Sequence, residues 1–270
     1  MLPLLIDFDG IIKIGNKPAE DARSFLQFIS QNKIPAFILS NSTLHTGQTV
    51  KNFLFDNDMD FDIGCMTTVD ASLEYLRQNN LKVSVYCNEE IEPLFSNYNN
   101  NTNHDAVLIG DLGDKWSYDI LNEIFRKVHE GAEIIAMQKN KFWKPAGELC
   151  LDAGAFIAAI EYAAGKESVL IGKPSPLYFQ ASLEKLGYGS GSEFIMIGDD
   201  IENDIEAAQK INGKGILVYT GKTRFPLPSD TSIKPDYEAK NLAEVISFLQ
   251  ENPGFLQPRV HQDQTKHPGN

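Results

Sequence analysis

Short apolar runs alternate along this chain with longer stretches in which apolar residues recur every three or four positions. This is the pattern of a buried parallel sheet wrapped by amphipathic helices. The runs at residues 4–6, 34–39, 169–171 and 194–197 predict strands covered on both faces. Residues 11–14 with Gly15-Asn16 read as a small hairpin or flap, and Pro18 suits a first helical turn leading to Ala22, Phe25, Leu26 and Ile29 on one helical face. Val50, Phe53 and Leu54 mark the next helix. Residues 65–67 predict a third strand, with Thr67 or Thr68 capping a helix through Leu73 and Leu76.

The alternation restarts in a block at residues 79–168, with strands expected at 82–87, 106–110 and 133–137 and helices near 118–129 and 154–164. An Asn-rich polar loop is expected at residues 97–103. The first pattern then resumes with a helix from Pro176, the strand at Phe194, a helix at 204–211, a strand at 215–219 and a helix at 242–249. The expected fold is α/β, a doubly wound parallel-sheet core over residues 1–78 and 169–252, interrupted by an inserted α/β domain at 79–168. Residues 253–270 lack periodicity and are expected to form a disordered tail.

The chain has 270 residues, 42% of them hydrophobic, enough for one large core or a core with an inserted domain. Its net charge of −13 argues against duplex nucleic acid or an anionic membrane as the main partner. The three cysteines, Cys65, Cys87 and Cys150, are widely spaced and support neither a disulfide framework nor a CxxC metal site. The apolar start meets Asp7 too soon for a signal peptide, and no apolar run is long enough to span a bilayer, so a cytoplasmic protein is expected.

Four of the predicted strands end in chemistry: Asp7-Phe8-Asp9-Gly10, Ser40-Asn41, Gly172-Lys173-Pro174 and Gly198-Asp199-Asp200 with Asp204 following. Ligands bind outside the carboxyl ends of strands in open α/β sheets, so the four segments meet at one edge. Phosphoryl transfer needs a nucleophile, charge neutralisation and leaving-group protonation in one place. Two residues apart at a strand end, Asp7 and Asp9 face one pocket, Asp7 as nucleophile and Asp9 as general acid and base. Carboxylates crowded against a phosphate dianion require a cation, and the hard oxygen ligands point to Mg²⁺. Its expected ligands are Asp7, the backbone carbonyl of Asp9 and Asp199, with Asp200 and Asp204 holding waters or orienting Asp199. Lys173 supplies fixed positive charge, Ser40 donates hydrogen bonds to a phosphoryl oxygen, and Asn41 positions the Asp7 loop. The acidic stretch at residues 56–62 is not a calcium loop, because an EF-hand starting at Asp58 would need Gly and Glu where Ile63 and Val69 stand.

These residues, in this order, resemble the haloacid dehalogenase (HAD) superfamily of aspartate-nucleophile phosphohydrolases. The D-x-D-G motif is met at Asp7 to Gly10, the strand-end hydroxyl at Ser40, the lysine at Lys173, and the final acidic motif at Asp199, Asp200 and Asp204. The inserted block lies where subfamily IIA carries its α/β cap (type C2a). The Thr usual after D-x-D-G is Ile11 here, and the usual Asn-Asn pair is Asn41-Ser42. The resemblance implies a Mg²⁺-dependent phosphatase of small phosphorylated substrates, with a homodimer through the cap as one arrangement. Sugar phosphates, nucleotides, pyrophosphate and phospho-amino acids stay open as substrates, since specificity lies in the cap. A helix start near Gly154 and a loop at residues 138–143 are expected to face the pocket. Two other readings share part of this chemistry, a receiver-like phospho-switch and a non-catalytic HAD scaffold. The inserted block and the retained Asp7, Asp9, Lys173 and Asp199 favour the enzyme.

Overall fold

The computed structural model describes residues 1–100, 102, 104–143 and 148–259. In chain order, β1 (Leu4–Asp7) leads into a small ribbon, β2 (Lys13–Ile14) and β3 (Lys17–Pro18), then α1 (Ala22–Gln31), β4 (Ala36–Ser40), α2 (Gly47–Asp56), β5 (Gly64–Thr67) and α3 (Thr68–Asn79). A second unit follows, with β6 (Val83–Tyr86), β7 (Ala106–Ile109), α4 (Tyr118–His129), β8 (Glu133–Ala136), the ribbon β9 (Phe142–Trp143) and β10 (Cys150–Leu151), α5 (Ala153–Ala164) and β11 (Val169–Leu170). The chain then forms α6 (Pro176–Lys185), β12 (Phe194–Gly198), a π-helical turn at Ile201–Glu206 running into α7 (Ala207–Gln209), β13 (Gly213–Val218), β14 (Tyr237–Ala239) and α8 (Leu242–Glu251).

The main sheet is parallel throughout, in the order β14-β13-β12-β1-β4-β5. The chain fills one side of β1 with β4 and β5, then crosses to place β12, β13 and β14 on the other, so the strand order reverses beside β1. That is where α/β folds bind ligands. Each central strand divides its apolar residues between the two faces: Leu4, Ile6, Ile38, Ile195 and Ile197 join one core cluster, and Leu5, Phe37, Leu39, Phe194 and Met196 the other. Period-two alternation with apolar residues on both sides explains why these strands read as unbroken hydrophobic runs.

The second sheet, β11-β8-β7-β6, is also parallel. One of its faces, through Val107, Ile109, Ile134 and Ala136, packs with Ile124, Val128, Ile157 and Ile160 of α4 and α5. Its other face sends Val83, Leu108, Ile135 and Met137 into the cluster that also holds Leu5, Leu39 and Tyr178. The α/β core and its cap therefore share a continuous apolar layer.

Three expectations are corrected. Val169–Leu170 is a strand of the second sheet, paired with β8, not of the main sheet. A short apolar run carries no mark of which parallel sheet will accept it. Pro18 lies in β3, opposite Lys13, and α1 begins only at Ala22; a two-stranded ribbon tolerates proline where a central strand would not. The segment after Pro253 is ordered through residue 259. Its one-turn helix Pro253–Leu256 is clasped by Leu2, whose N–H donates to Leu256 at 2.7 Å, and by Lys214 Nζ, which reaches the Phe255 and Gln257 carbonyls at 2.8 and 3.0 Å. The rest of the expected tail, 260–270, and Asn101 and Asn103 of the Asn-rich loop lie outside the described residues. Among those described, no helix is long and apolar enough to cross a membrane.

Candidate active site

Asp7 is the last residue of β1, and only 6% of it is exposed. Its Oδ1 accepts the Phe8 N–H at 2.9 Å and the Lys173 ammonium at 2.6 Å. Lys173, itself 4% exposed, also contacts Asp204 Oδ1 at 2.7 Å. Asp204 is fully buried, and its other oxygen accepts the Asp200 N–H at 3.2 Å. It fits against β12 only because residue 198 is glycine, since a methyl group there would overlap the Asp204 carboxylate. Asp199 follows β12 directly, with its carboxylate between Gly10 and Gly221, each of which lacks the Cβ that would collide with it. Carboxylate oxygens of Asp7, Asp199 and Asp204 lie within 4.8 Å of one another.

Three buried carboxylates stand near one buried ammonium, which contacts two of them, and their protonation reflects it. Burial pushes the Asp7 carboxyl up to about 7 despite the pull of Lys173. Asp204 is likewise pushed to about 7, by burial, against Lys173. Burial and Asp204 also raise Asp199. Burial works against the Lys173 ammonium, but Asp204 and Asp7 outweigh it and hold the lysine charged. The unrelieved negative charge and the hard oxygen donors fit a small divalent cation such as Mg²⁺. Among the described residues, no hydrogen bond reaches Asp7 Oδ2 or Asp199 Oδ1, whereas both Asp204 oxygens have partners. Asp7 and Asp199 thus keep lone pairs for a cation, while Asp204 accepts the Asp200 N–H through Oδ2 and meets Lys173 through Oδ1 as an ion pair without a hydrogen bond.

The remaining expected residues divide. The Asp9 side chain is 55% exposed and outside the carboxylate trio, held by Ser40 Oγ at 3.0 Å and by Lys13 Nζ at 3.3 Å. Its metal role was expected from the backbone carbonyl, so the trio takes in Asp204 instead. Ser40 is buried at the end of β4, where its hydroxyl also accepts the Ser42 N–H at 3.1 Å. Asn41 does not hold the Asp7 loop. Its amide nitrogen donates to the Lys173 carbonyl and its oxygen accepts the Lys173 N–H, both at 2.8 Å, so it fixes the lysine backbone. Asp200 caps the turn after β12 by accepting the Glu202 and Asn203 N–H groups at 3.1 and 3.0 Å. Despite partial burial its carboxyl is lowered to about 2, by Lys222 and the Asn203 N–H.

The expected helix start at Gly154 does not offer free N–H groups. Asp152 accepts the Ala153 N–H at 2.6 Å and Gly154 donates to the Asn140 carbonyl at 3.1 Å, so this end is sealed within the second unit. One position escaped the sequence reading. Tyr178 is fully buried and its hydroxyl spans the Ser40 and Met66 carbonyls at 2.7 and 2.8 Å, which ties the ends of β4 and β5 together. The loop at residues 220–223 surrounds Asp199. Residues 218–223 resemble the HAD superfamily in sequence, but nothing local marks them as neighbours of Asp199.

The comparisons with known proteins agree with this geometry. A family model described as haloacid dehalogenase-like hydrolase matches residues 4–101, and a second, HAD-hydrolase-like model matches residues 170–245. The chain is 30% identical over 224 residues to haloacid dehalogenase-like hydrolase domain-containing protein 2 of Pongo abelii, covering 82% of this chain and 85% of that protein. It is 33% identical over 187 residues to the phospholysine phosphohistidine inorganic pyrophosphate phosphatase of Bos taurus, covering 67% of each. Its fold matches that of the 4-nitrophenylphosphatase from Thermotoga maritima with a TM-score of 0.81 at 22% identity, over 92% of this chain and 97% of that one. With the expected motif residues gathered at one sheet edge and relatives matching across most of its length, the chain belongs to the haloacid dehalogenase-like hydrolase family.

Proposed function

We propose that this HAD phosphatase hydrolyses small phosphorylated metabolites through an aspartyl-phosphate on Asp7, with Mg²⁺ held by Asp7, Asp199 and the Asp9 carbonyl. The observation that carries the reading is the buried Asp7, bonded through Oδ1 to Lys173 while, among the described residues, no hydrogen bond reaches Oδ2 at the switch point of the sheet. Asp7 Oδ2 attacks phosphorus, and the bond from phosphorus to the leaving oxygen breaks as Asp9 protonates that oxygen. Asp9 then takes a proton from water, whose attack on phosphorus releases phosphate and restores the Asp7 carboxylate. Lys173 and Ser40 stabilise the charge on the phosphoryl oxygens. The cation supplies neutralisation of the phosphate dianion against the carboxylates.

The cap is the part assigned to substrate choice. The ribbon β9 and β10 carries Phe142, Trp143 and Leu151, which with the neighbouring Leu149 are more than half exposed. Their apolar surface supports both contact with substrate and a homodimer through the cap, which sedimentation would resolve. Free Cys65, Cys87 and Cys150 support a reducing, cytoplasmic setting. The test is a panel of sugar phosphates, nucleotides, pyrophosphate, phospholysine and phosphohistidine with Mg²⁺, together with acid-quench mass spectrometry for phosphoaspartate at Asp7. Multiple turnover and a phosphorylated Asp7 peptide are expected for wild type and neither for Asp7→Asn. A phosphorylated protein that does not turn over would return the receiver-like reading, and no phosphorylation at all the scaffold reading. Trp143→Ala should reorder kcat/KM among substrates; an unchanged ranking removes the ribbon from specificity.

A further inference from the structure

The loop after β13 lies outside the four strand-end segments expected to carry the chemistry, yet it closes on both acids that follow β12. The Lys222 N–H donates to Asp199 Oδ2, and the Thr223 N–H donates to the Asp199 carbonyl at 3.0 Å. The Lys222 ammonium pairs with Asp200 Oδ2 at 2.9 Å, and Thr223 Oγ1 accepts the Ile201 N–H at 3.1 Å. At the other end, the Thr220 hydroxyl donates to the Gly10 carbonyl, beside the loop that carries Asp9. Gly221 presses on Asp199 so closely that a methyl group would overlap its Oδ2, and Gly10 closes the opposite side.

We propose that residues 220–223 form a brace that sets Asp199 in its cation-binding pose, and that Lys222 is the positioning residue of that brace. The inference rests on Asp199 being a ligand, as read above. Mg²⁺ demands near-octahedral geometry at short distances, so a carboxylate fixed beforehand loses less freedom on binding than one that must be ordered. Lys222 divides its two donors between adjacent acids. Asp200 is itself locked by the Glu202 and Asn203 N–H groups and by Asn203 Nδ2 at 2.8 Å, so it gives the lysine a rigid anchor. Partners of this kind, one step removed from a metal, commonly govern its affinity by an order of magnitude or more.

The sign of one substitution separates bracing from charge. A lysine acting only through its charge repels a cation, so its removal would tighten Mg²⁺ binding. A brace predicts the opposite. Calorimetric Mg²⁺ titration of substrate-free protein, with thermal unfolding of each metal-free variant as a fold check, should show Lys222→Met weakened roughly tenfold. Lys222→Arg should recover most of that loss, and Gly221→Ala, at an exposed loop position, should weaken binding at least as much as Lys222→Met. Wild-type or tighter binding by Lys222→Met overturns the proposal. Asp199→Asn provides the separate control, since loss of binding there is required by the ligand reading, and wild-type affinity in that variant would overturn the reading whatever the loop does.

Discussion

The Lys173 ammonium and the Asp7 carboxylate, 166 residues apart in the chain, meet at 2.6 Å with both side chains almost wholly out of solvent. The contact joins the end of β1 to the first residues after the second sheet. It aims one Asp7 oxygen at the lysine and, among the described residues, leaves the other without a hydrogen bond. The same lysine serves Asp204, so one cation organises two of the three buried acids.

Lys173→Met should therefore both inactivate and destabilise the protein. Removing one partner of a buried ion pair leaves charge without compensation, commonly at a cost of about 3–5 kcal/mol. That loss should be largest at pH 8 and smaller at pH 5, where Asp7 and Asp204 take up protons. Urea unfolding at the two pH values measures it, and an equal loss at both would mean that the acids are not charged beside the lysine.

Without metal, stability should fall as pH rises from acidic to neutral. Asp7 and Asp204 are each shifted from 3.8 in the unfolded chain to about 7 in the fold, first by burial. Between those values the folded state holds protons that the unfolded state has released, so the slope of unfolding free energy with pH is negative. Above about 7 the cost of the buried charges is fully expressed. Mg²⁺ should reverse the trend and stabilise more at pH 8 than at pH 5, because it binds the deprotonated acids. Melting temperatures in chelator and in Mg²⁺ across this range provide the check, and a flat chelator profile contradicts the assignment.

Asp9→Asn should separate the two carboxylates of the first motif. Activity on nitrophenyl phosphate should survive in part, while hydrolysis of an alkyl phosphate should collapse, because a poor leaving group depends on protonation. Equal losses on both substrates would count against a general acid.

Tyr178→Phe should weaken the site from below. It removes the single O–H that the Ser40 and Met66 carbonyls share, at a cost of about 1–3 kcal/mol in stability. Because Ser40 is one of the two ends being held, kcat should fall more than the KM for substrate rises. An unchanged kcat would limit Tyr178 to packing.

Much of the site was legible because its residues stand at strand ends, and a strand end is a local feature. Asp7, Ser40 and Asp199 each follow an apolar run whose alternation fills both faces of one sheet, and that pattern needs no knowledge of the partner strands. Lys173 was found for a partly mistaken reason, since the strand before it belongs to the second sheet and Asn41 carries its backbone to the site. Val169 and Leu170 look alike in either sheet, and only pairing with β8 decides between them. The ordered turn after Pro253 was invisible because its stability comes from the distant Leu2 and Lys214 rather than from its own periodicity.

By itself, then, the order of residues determined the α/β class, the polarity of the sheet and the set of groups proposed for phosphoryl transfer, because each depends on local propensity and on side-chain type. Tertiary structure alone decided the partnerships among those groups. It turned Asp204 from an acid expected behind Asp199 into the partner of Lys173, spent Asn41 on the lysine backbone, closed the Gly154 helix end within the cap, and brought residues 220–223 around Asp199. Each of these depends on a contact between segments far apart in the chain, and the direction of a side chain is set by what packs against it, which no local pattern records.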